Sequence, residues 1–263
     1  MVEFVGAGDQ VNLQKRLNDR QAWIAKTPGV ANGGRLLHFV DPARVGWDTV
    51  CELAEEDGLV GFPAVEAAPT LTAIRTHQGE HWKTPTWLAF MGTPEKVLPA
   101  CNAVITDVPI PDGWTVDAMT VPDEKLISEV QALNQETGVS PYPAYYIRSE
   151  AVPVLTVCIS DDLGELIATA SAAFRYHAES RLAGCVFAGM VSVSPTYRGR
   201  GLGKLANAFM LSKSHEVFGW TSAKEQVSPD NAASQAMIKA CGLDNDAGLV
   251  SIGATNSGES FTR

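Results

Sequence analysis

Residues 188–211 read AGMVSVSPTYRGRGLGKLANAFML, and this segment predicts a strand, a glycine-rich loop and a helix in succession. Residues 188–194 are apolar and β-branched in alternation, as strands are. Pro195 ends this strand, and residues 198–204 supply the loop. The helix that follows has one apolar face at helical spacing, formed by Leu202, Leu205, Ala206 and Phe209.

The loop has the composition of an anion-binding site. Its small residues allow several N–H groups to converge on one anion, and the helix adds unpaired N–H groups and the positive end of its dipole. The spacing differs from that of a P-loop, because Lys204 is followed by Leu205. It also lacks the G-x-G-x-x-G of dinucleotide sites, since the sixth position from Gly199 or Gly201 is Lys204 or Ala206.

The remaining pattern is R-x-x-G-x-G, formed by Arg198, Gly201 and Gly203. It resembles the coenzyme A pyrophosphate loop of the GNAT superfamily of acyl-CoA-dependent N-acyltransferases, and Val191–Gly199 is similar to the strand and turn before that loop. The resemblance covers about 150 residues, from Asp112 onward. It implies acetyl-CoA as the acyl donor, bound by Met190, Val191, Ser192, Val193, Arg198, Gly199, Arg200, Gly201, Leu202, Gly203, Lys204, Asn231 and Ser234.

A second motif supports the resemblance. Residues 231–243 resemble the family's N-x-x-A-x-x-L-Y-x-x-x-G-F helix, in which the asparagine, here Asn231, reaches the pantetheine arm. Ser228 and Pro229 predict the start of this helix. The family's tyrosine, often the proton donor to the leaving thiolate, is replaced by Ile238.

The resemblance implies direct attack of a neutral amine on the thioester, with the oxyanion held by backbone N–H groups of residues 190–193. The strand before the loop contains no carboxylate, so Glu225 is the candidate base; the alternative is a solvent-exposed or ion-paired Glu225. The candidate acids are Tyr145, Tyr146, Ser234 and solvent.

Three further alternatives stay open. Arg198 and Arg200 are phosphate ligands or solvated charges. Tyr142, Tyr145 and Tyr146 line an amine pocket or pack inside the protein. Cys241 carries an acyl group or is a small buried residue.

Composition limits the class of protein. The 263 residues are 45% apolar and 19% charged, which is typical of a globular chain. The net charge of −10 argues against nucleic-acid and anionic-membrane partners and mildly favours cationic small substrates. The five cysteines are far apart and have no C-x-x-C pair, as is typical of a cytoplasmic protein without a zinc site. The beginning of the chain does not resemble a signal peptide, and no apolar run is long enough to cross a membrane.

A turn-rich segment at residues 109–113 predicts a boundary between an N-terminal α/β domain (1–110) and a GNAT domain (111–263). The fold class is α/β (α+β), with a mixed, mainly antiparallel sheet, flanking helices and splayed fourth and fifth strands. In the N-terminal region we predict a helix over 11–26 and strands over 35–40, 70–76 and 86–91. That region lacks R-x-x-G-x-G and is interpreted as a degenerate second GNAT half that shapes the acceptor pocket. His77 and His81 are four residues apart, but Gly79 disfavours a metal-binding helix there.

The sequence leaves three functions open. The first is an N-acetyltransferase that acts on a small amine, as a monomer or homodimer. The second is an acyl-CoA sensor or scaffold that has lost catalysis, as the absent tyrosine and the absent strand carboxylate suggest. The third is an interaction module with an empty loop.

Overall fold

The computed structural model describes residues 3–256, which fold around one ten-stranded sheet. The strands are β1 (Val30–Asn32), β2 (Leu37–Phe39), β3 (Leu59–Val65), β4 (Thr86–Gly92), β5 (Thr115–Met119), β6 (Val154–Ser160), β7 (Leu166–Ala173), β8 (Cys185–Val193), β9 (Ser222–Val227) and β10 (Asp244–Thr255). The helices are α1 (Gly8–Asp19), α2 (Gln21–Ile24), α3 (Pro42–Val45), α4 (Trp47–Asp57), α5 (Ala67–Gln78), α6 (Pro94–Asp107), α7 (Glu124–Glu136), α8 (Ala144–Ile147), α9 (Leu202–Phe218) and α10 (Ala232–Ala240). None of the helices within residues 3–256 has both the length and the apolar character that crossing a bilayer requires.

The strand order is β1-β2-β3-β10-β4-β9-β8-β7-β6-β5. The pairs β2–β3 and β8–β9 are parallel, and the other neighbouring pairs are antiparallel. From β5 onward the chain follows the order of elements that the sequence predicts. The mixed, mainly antiparallel sheet of the predicted fold class is therefore confirmed.

The two segments on either side of residue 110 share this sheet. β10 lies between β3 and β4, and β4 lies between β10 and β9. The predicted boundary falls in the connection from α6 to β5 and stays a prediction about domain organisation. Interstrand hydrogen bonds nevertheless join strands from both segments, so each segment completes the sheet of the other.

Apolar side chains bury both faces of the sheet. On one face, α6 and α9 place Val97, Leu205 and Leu211 in a core with residues of β6 to β9. On the other face, α7 and α8 pack Ile127 and Tyr146 against β6, β7 and β8. This packing holds the end of β8 and the start of α9 in fixed positions.

The parallel strands β8 and β9 pair only at their first residues, where Cys185, Val186 and Phe187 face Ser222, Ala223 and Lys224. Beyond Phe187 the two strands diverge, as the sequence predicts for the fourth and fifth strands of the family. The divergence leaves main-chain groups of both strands without a partner from the other strand. The opening lies beside the N-terminus of α9.

Two predicted elements differ in the structure. Residues 70–76, predicted as a strand, lie inside helix α5, where Ile74 is fully buried. Their three threonines favour a strand by propensity, but burial of the side chains at helical spacing decides the outcome. The last helix begins at Ala232 and is capped by Asn231, not by Ser228, because the Asn231 side chain accepts the N–H of Ser234.

Candidate functional site

A glycine-rich cradle lies at the N-terminus of α9. Gly199 and Gly201 have φ angles of 78° and 81°, a left-handed conformation that favours glycine. The Gly201 carbonyl accepts the N–H of Leu205, which closes the first turn of α9. The N–H groups of residues 202–204 therefore lack partners within the helix. These donors and the helix dipole favour an anion at this position.

The cradle opens into a groove of about 560 Å³. One wall is formed by the loop and the start of α9, and the others come from the end of α7, from β8 and from α10. The predicted donor-binding residues that line it are Val191, Ser192, Val193, Arg198, Gly199, Gly201, Leu202, Gly203, Lys204, Asn231 and Ser234. The structure therefore brings most of the predicted set together on one surface.

The basic side chains of the loop differ in their placement. Arg198 lines the groove, and its Nε donates to the carbonyl of Val193 at 3.4 Å. The Arg200 guanidinium lies 5.1 Å from the centre of the Tyr197 ring, outside the lining of the groove. The Tyr197 hydroxyl donates to Asp161 at 2.6 Å, which anchors the loop to the β6–β7 turn. Of the two arginines of the loop, Arg198 is thus the one that lines the groove, together with Lys204 at the start of α9.

A β-bulge interrupts β8 where it leaves β9. Ser171 pairs with Gly189 and Thr169 pairs with Ser192, so Met190 and Val191 together face Ala170 alone. Met190 has a φ of 56°, which is costly for a residue with a side chain. A bulged residue is left out of the ladder, which turns main-chain groups away from β7.

A second cavity, of about 160 Å³, lies in the opening between β8 and β9. Met190 lines it, and it shares Val191, Asn231 and Ser234 with the groove. The two cavities therefore adjoin, and together they extend as a path from the cradle to the diverging strands.

Glu225 lines this second cavity and is the only Asp or Glu, among residues 3–256, that lines any of the cavities described here. It is 2% exposed, and its Oε1 accepts from Asn207 Nδ2 at 2.8 Å. Burial raises the pKa of Glu225 to about 7, although the Asn207 hydrogen bond and the Lys224 charge act in the opposite direction. The alternative of a solvent-exposed or ion-paired Glu225 is wrong, because the side chain is buried and pairs with an amide.

The structure does not bring Tyr145 and Tyr146 to any of these cavities. Their hydroxyls donate to the carbonyls of Gln14 and Asn32, respectively, and both rings are buried. Tyr142 is also buried, so the three tyrosines pack inside the protein and do not line an amine pocket. Their position gives no support to a role as proton donors, since hydroxyls held this way face the N-terminal segment.

Ile238 and Cys241 flank Glu225 from the side of α10. Ile238 lines the second cavity and is 2% exposed, so the position of the family's tyrosine carries no proton donor. Cys241 is fully buried, and its Sγ donates to the Lys204 carbonyl at 3.8 Å. Hydrogen bonding with Cys101 and burial raise the pKa of Cys241, which favours the alternative of a small buried residue over an acyl carrier.

A third cavity, of about 60 Å³, adjoins the second and shares Arg35, Trp87, Phe187 and Gln226 with it. Much of its wall comes from the N-terminal segment. Its apolar lining is formed by Leu36, Leu59, Phe62, Pro63, Pro85, Trp87, Phe187 and Ile252. Arg35 and Arg175 also line this cavity, and neither was predicted from the sequence as a site residue. No motif marks them, because they meet only through pairing of distant strands.

The comparisons with known proteins agree with this geometry. Residues 126–243 match the model of the Acetyltransferase (GNAT) family. A GCN5-related N-acetyltransferase from Kribbella flavida is similar in structure, with a TM-score of 0.57 and 18% identity over 94% of this chain and 96% of that one. No curated protein matches the chain in sequence.

Two further solved structures are similar. A tandem GNAT protein from the clavulanic acid biosynthesis pathway has a TM-score of 0.54 and 16% identity, over 81% of this chain and 70% of that one. A GCN5-related N-acetyltransferase-like protein from Streptococcus suis has a TM-score of 0.53 and 12% identity, over 93% and 99%. At these identities the likeness shows a shared fold.

Proposed function

We propose that the protein is an acetyl-CoA-dependent N-acetyltransferase that acts on a small primary amine, since residues 126–243 match the model of the Acetyltransferase (GNAT) family. The observation that carries this proposal is the path of two adjoining cavities from the glycine cradle at α9 to the opening between β8 and β9. An anion site at one end and unpaired main-chain donors at the other suit a pyrophosphate and a thioester, respectively. The five cysteines are all unpaired, which supports a cytoplasmic location.

In this proposal the donor lies along the groove. The N–H groups of residues 199–204 and the Arg198 side chain hold the pyrophosphate, while Asn231 and Ser234 contact the pantetheine arm. Asn231 caps α10 through Oδ1, which leaves its Nδ2 group to donate to a ligand. Main-chain N–H groups of residues 190–193 hold the thioester carbonyl, and the bulge supports this role for Met190 and Val191, which have no one-to-one partner in the ladder with β7.

The reaction is direct attack in a ternary complex. The amine nitrogen forms a C–N bond with the acetyl carbon, and the negative charge on the carbonyl oxygen is stabilised by the main-chain donors. The C–S bond then breaks, and coenzyme A leaves as the thiolate. Glu225 accepts the proton that the amine loses, directly or through water, and solvent protonates the thiolate. A base with a pKa of about 7 suits this task, because it is half ionised at neutral pH.

A second candidate is an acyl-CoA sensor without catalysis. One observation favours it: Ile238 is buried at the position of the family's tyrosine, beside the thioester end of the path. A thiolate of modest basicity leaves without a strong acid, however, so this replacement does not prevent turnover. Binding of acetyl-CoA without thiol release for any amine would favour the sensor.

The test is a thiol-release assay with acetyl-CoA and a broad panel of amines. We expect turnover whose kcat/KM rises with pH through about 7 as Glu225 loses its proton. Glu225→Gln should lower kcat by about 10²- to 10⁴-fold and remove this inflection, because a neutral amide accepts no proton. Glu216→Gln is the matched control, since Glu216 is exposed and pairs with Lys213 on α9. An unchanged pH profile in Glu225→Gln would rule out Glu225 as the base.

A further inference from the structure

Two arginines, Arg35 and Arg175, line the third cavity, and Lys224 lies beside it with its Nζ 5.4 Å from the centre of the Phe187 ring. Arg35 lies in the connection between β1 and β2, Arg175 follows β7, and Lys224 belongs to β9. Arg175 is 5% exposed and Lys224 is fully buried. Among the residues that the structure describes, none of the three forms an ion pair with a carboxylate.

Their donors are incompletely used within the protein. The Nε atoms of Arg35 and Arg175 are buried and have no hydrogen-bond partner. Arg35 donates to the carbonyl of Ser140 at 3.3 Å, and Arg175 contacts the Tyr176 hydroxyl at 3.5 Å. Lys224 donates to the Gln226 side chain at 3.0 Å. These hydrogen-bond partners are all neutral, so the positive charges of Arg35 and Arg175 have no carboxylate beside them, which is costly in a buried site.

Aromatic rings hold the guanidinium groups in place. The Arg175 guanidinium lies 3.9 Å from the centre of the Phe187 ring, and that of Arg35 lies 5.6 Å from the Tyr142 ring. Gly34 brings the hairpin tip close to Tyr142, since a Cβ at Gly34 would lie 2.6 Å from that ring. Tyr146 donates to the Asn32 carbonyl at 3.0 Å and fixes the same tip. The buried tyrosines thus position Arg35.

The charges also affect the neighbouring side chains. Burial, and then the charge of Arg175, lower the pKa of Lys224 to about 7. Burial and the charges of Arg175, Lys224 and Arg35 lower the pKa of His38, whose Nδ1 has no hydrogen-bond partner. The positive charges of these groups therefore repel one another, and a bound anion would reduce this repulsion for each of them.

From this juxtaposition we infer that the acceptor is an amino acid whose carboxylate binds Arg35 and Arg175. Guanidinium groups suit a carboxylate because they donate two parallel hydrogen bonds to it. Phe187 and Gln226 line both this cavity and the opening between β8 and β9, so the amine faces the thioester end of the path. The apolar lining around Phe62, Trp87 and Ile252 indicates a small apolar side chain.

This inference rests on the proposed function, and the test separates the two. First, thiol release is measured with acetyl-CoA for glycine, alanine, valine, leucine and methionine, each beside its amide and its decarboxylated amine. We expect kcat/KM to be about 10²-fold higher for at least one amino acid than for its amide, because only the free acid offers the carboxylate. Equal rates for every acid and amide, or a preference for O-phosphoethanolamine over every amino acid, would overturn the inference.

The variant is Arg175→Met, which keeps the packing against Phe187 and removes the charge. We expect the ratio of kcat/KM between the preferred acid and its amide to fall by about 10- to 100-fold. The midpoint of urea unfolding should stay the same or rise, since an uncompensated buried charge is removed. Arg44→Gln is the control, because Arg44 is exposed and pairs with Glu179. An unchanged ratio contradicts the inference, whether or not the midpoint changes.

Calorimetry decides the case in which no thiol is released. The N-acetylated amino acids and amides are titrated into the protein with and without coenzyme A. We expect the acids to bind at least about tenfold more tightly than the amides, and Arg175→Met to remove the difference. Binding of acids in a protein that fails to bind acetyl-CoA would contradict the proposed function alone. Equal affinity for acids and amides would overturn the inference alone.

Discussion

At the scale of single residues, Glu225 shows most clearly how the surroundings of a side chain change its pKa. Glu225 belongs to β9 and accepts a hydrogen bond from Asn207 of α9. Cys241 lies near it, and the neighbouring residue in the chain is the charged Lys224. Burial outweighs the stabilising hydrogen bond, so the carboxyl holds its proton to about pH 7. The sequence predicts the position of this residue but not its burial.

The raised pKa of Glu225 has a consequence for stability. The native state keeps the proton to about pH 7, whereas the unfolded chain loses it near the ordinary value of 4.5. The native state therefore binds more protons between these limits, and the contribution of Glu225 to stability falls as the pH rises from 4.5 to 7. We expect the free energy of unfolding of the protein, relative to Glu225→Gln, to fall by on the order of 2–3 kcal/mol over this range.

Urea unfolding at pH 5 and at pH 7 measures this difference. Glu216→Gln serves as the reference, because its exposed carboxylate should leave the pH dependence unchanged. The same pH dependence in the protein and in Glu225→Gln would mean that Glu225 ionises normally in the native state.

At the scale of elements, α10 combines a structural and a binding role in its first turn. Asn231 accepts the Ser234 N–H through Oδ1 and also lines the groove. Asn231→Asp should keep the cap and lose the Nδ2 donor, so stability stays near that of the native protein while the KM for acetyl-CoA rises several-fold. Asn231→Ala should lose both the cap and the Nδ2 donor, and loss of the cap should lower the free energy of unfolding by about 1 kcal/mol.

Thermal unfolding and the KM for acetyl-CoA, measured on both variants, separate these roles. If Asn231→Asp leaves the KM unchanged, the side chain serves only as a helix cap.

The same elements show what local pattern can and cannot predict. The strand, loop and helix at residues 188–211 were predictable because apolar spacing, glycines and proline all indicate the same structure there. Residues 70–76 were predicted wrongly as a strand because threonine-rich propensity competes with burial of Ile74 on a helix face. The cap of α10 was misplaced because Ser228 and Asn231 are both good caps, and only tertiary packing selects between them.

At the scale of the whole molecule, the shared sheet determines what the chain needs to fold. β4 lies between β9 and β10, and β10 lies between β3 and β4. A protein of residues 111–263 alone would leave β9 with an unpaired edge and β10 with no neighbouring strand. We expect this fragment to show no cooperative unfolding and to aggregate, in contrast to the full chain.

Circular dichroism melts and size-exclusion chromatography of the fragment and the full chain test this expectation. A monomeric fragment that unfolds cooperatively near the melting temperature of the full chain would show that the N-terminal strands are dispensable.

The whole-molecule scale also explains what sequence reasoning missed in the site. The net charge of −10 mildly favours cationic substrates, yet Arg35 and Arg175 line the third cavity and Lys224 lies beside it, over the Phe187 ring. These residues are as much as 189 positions apart, and the β1–β2 hairpin, β7 and β9 bring them together. Net charge averages over the whole surface, so it carries no information about a buried cavity. The cradle was predictable because its residues are contiguous.

The central claim is that the cradle at α9 binds acetyl-CoA, and calorimetric titration tests it most directly. We expect the protein to bind acetyl-CoA and coenzyme A with one site per chain and not to bind NAD. Gly201→Glu should abolish this binding, because it places a negative charge in the cradle. Gly201→Ala has the same backbone strain at a φ of 81° without the charge and should retain measurable binding. No binding of acetyl-CoA to the native protein, or unchanged affinity in Gly201→Glu, would contradict the claim.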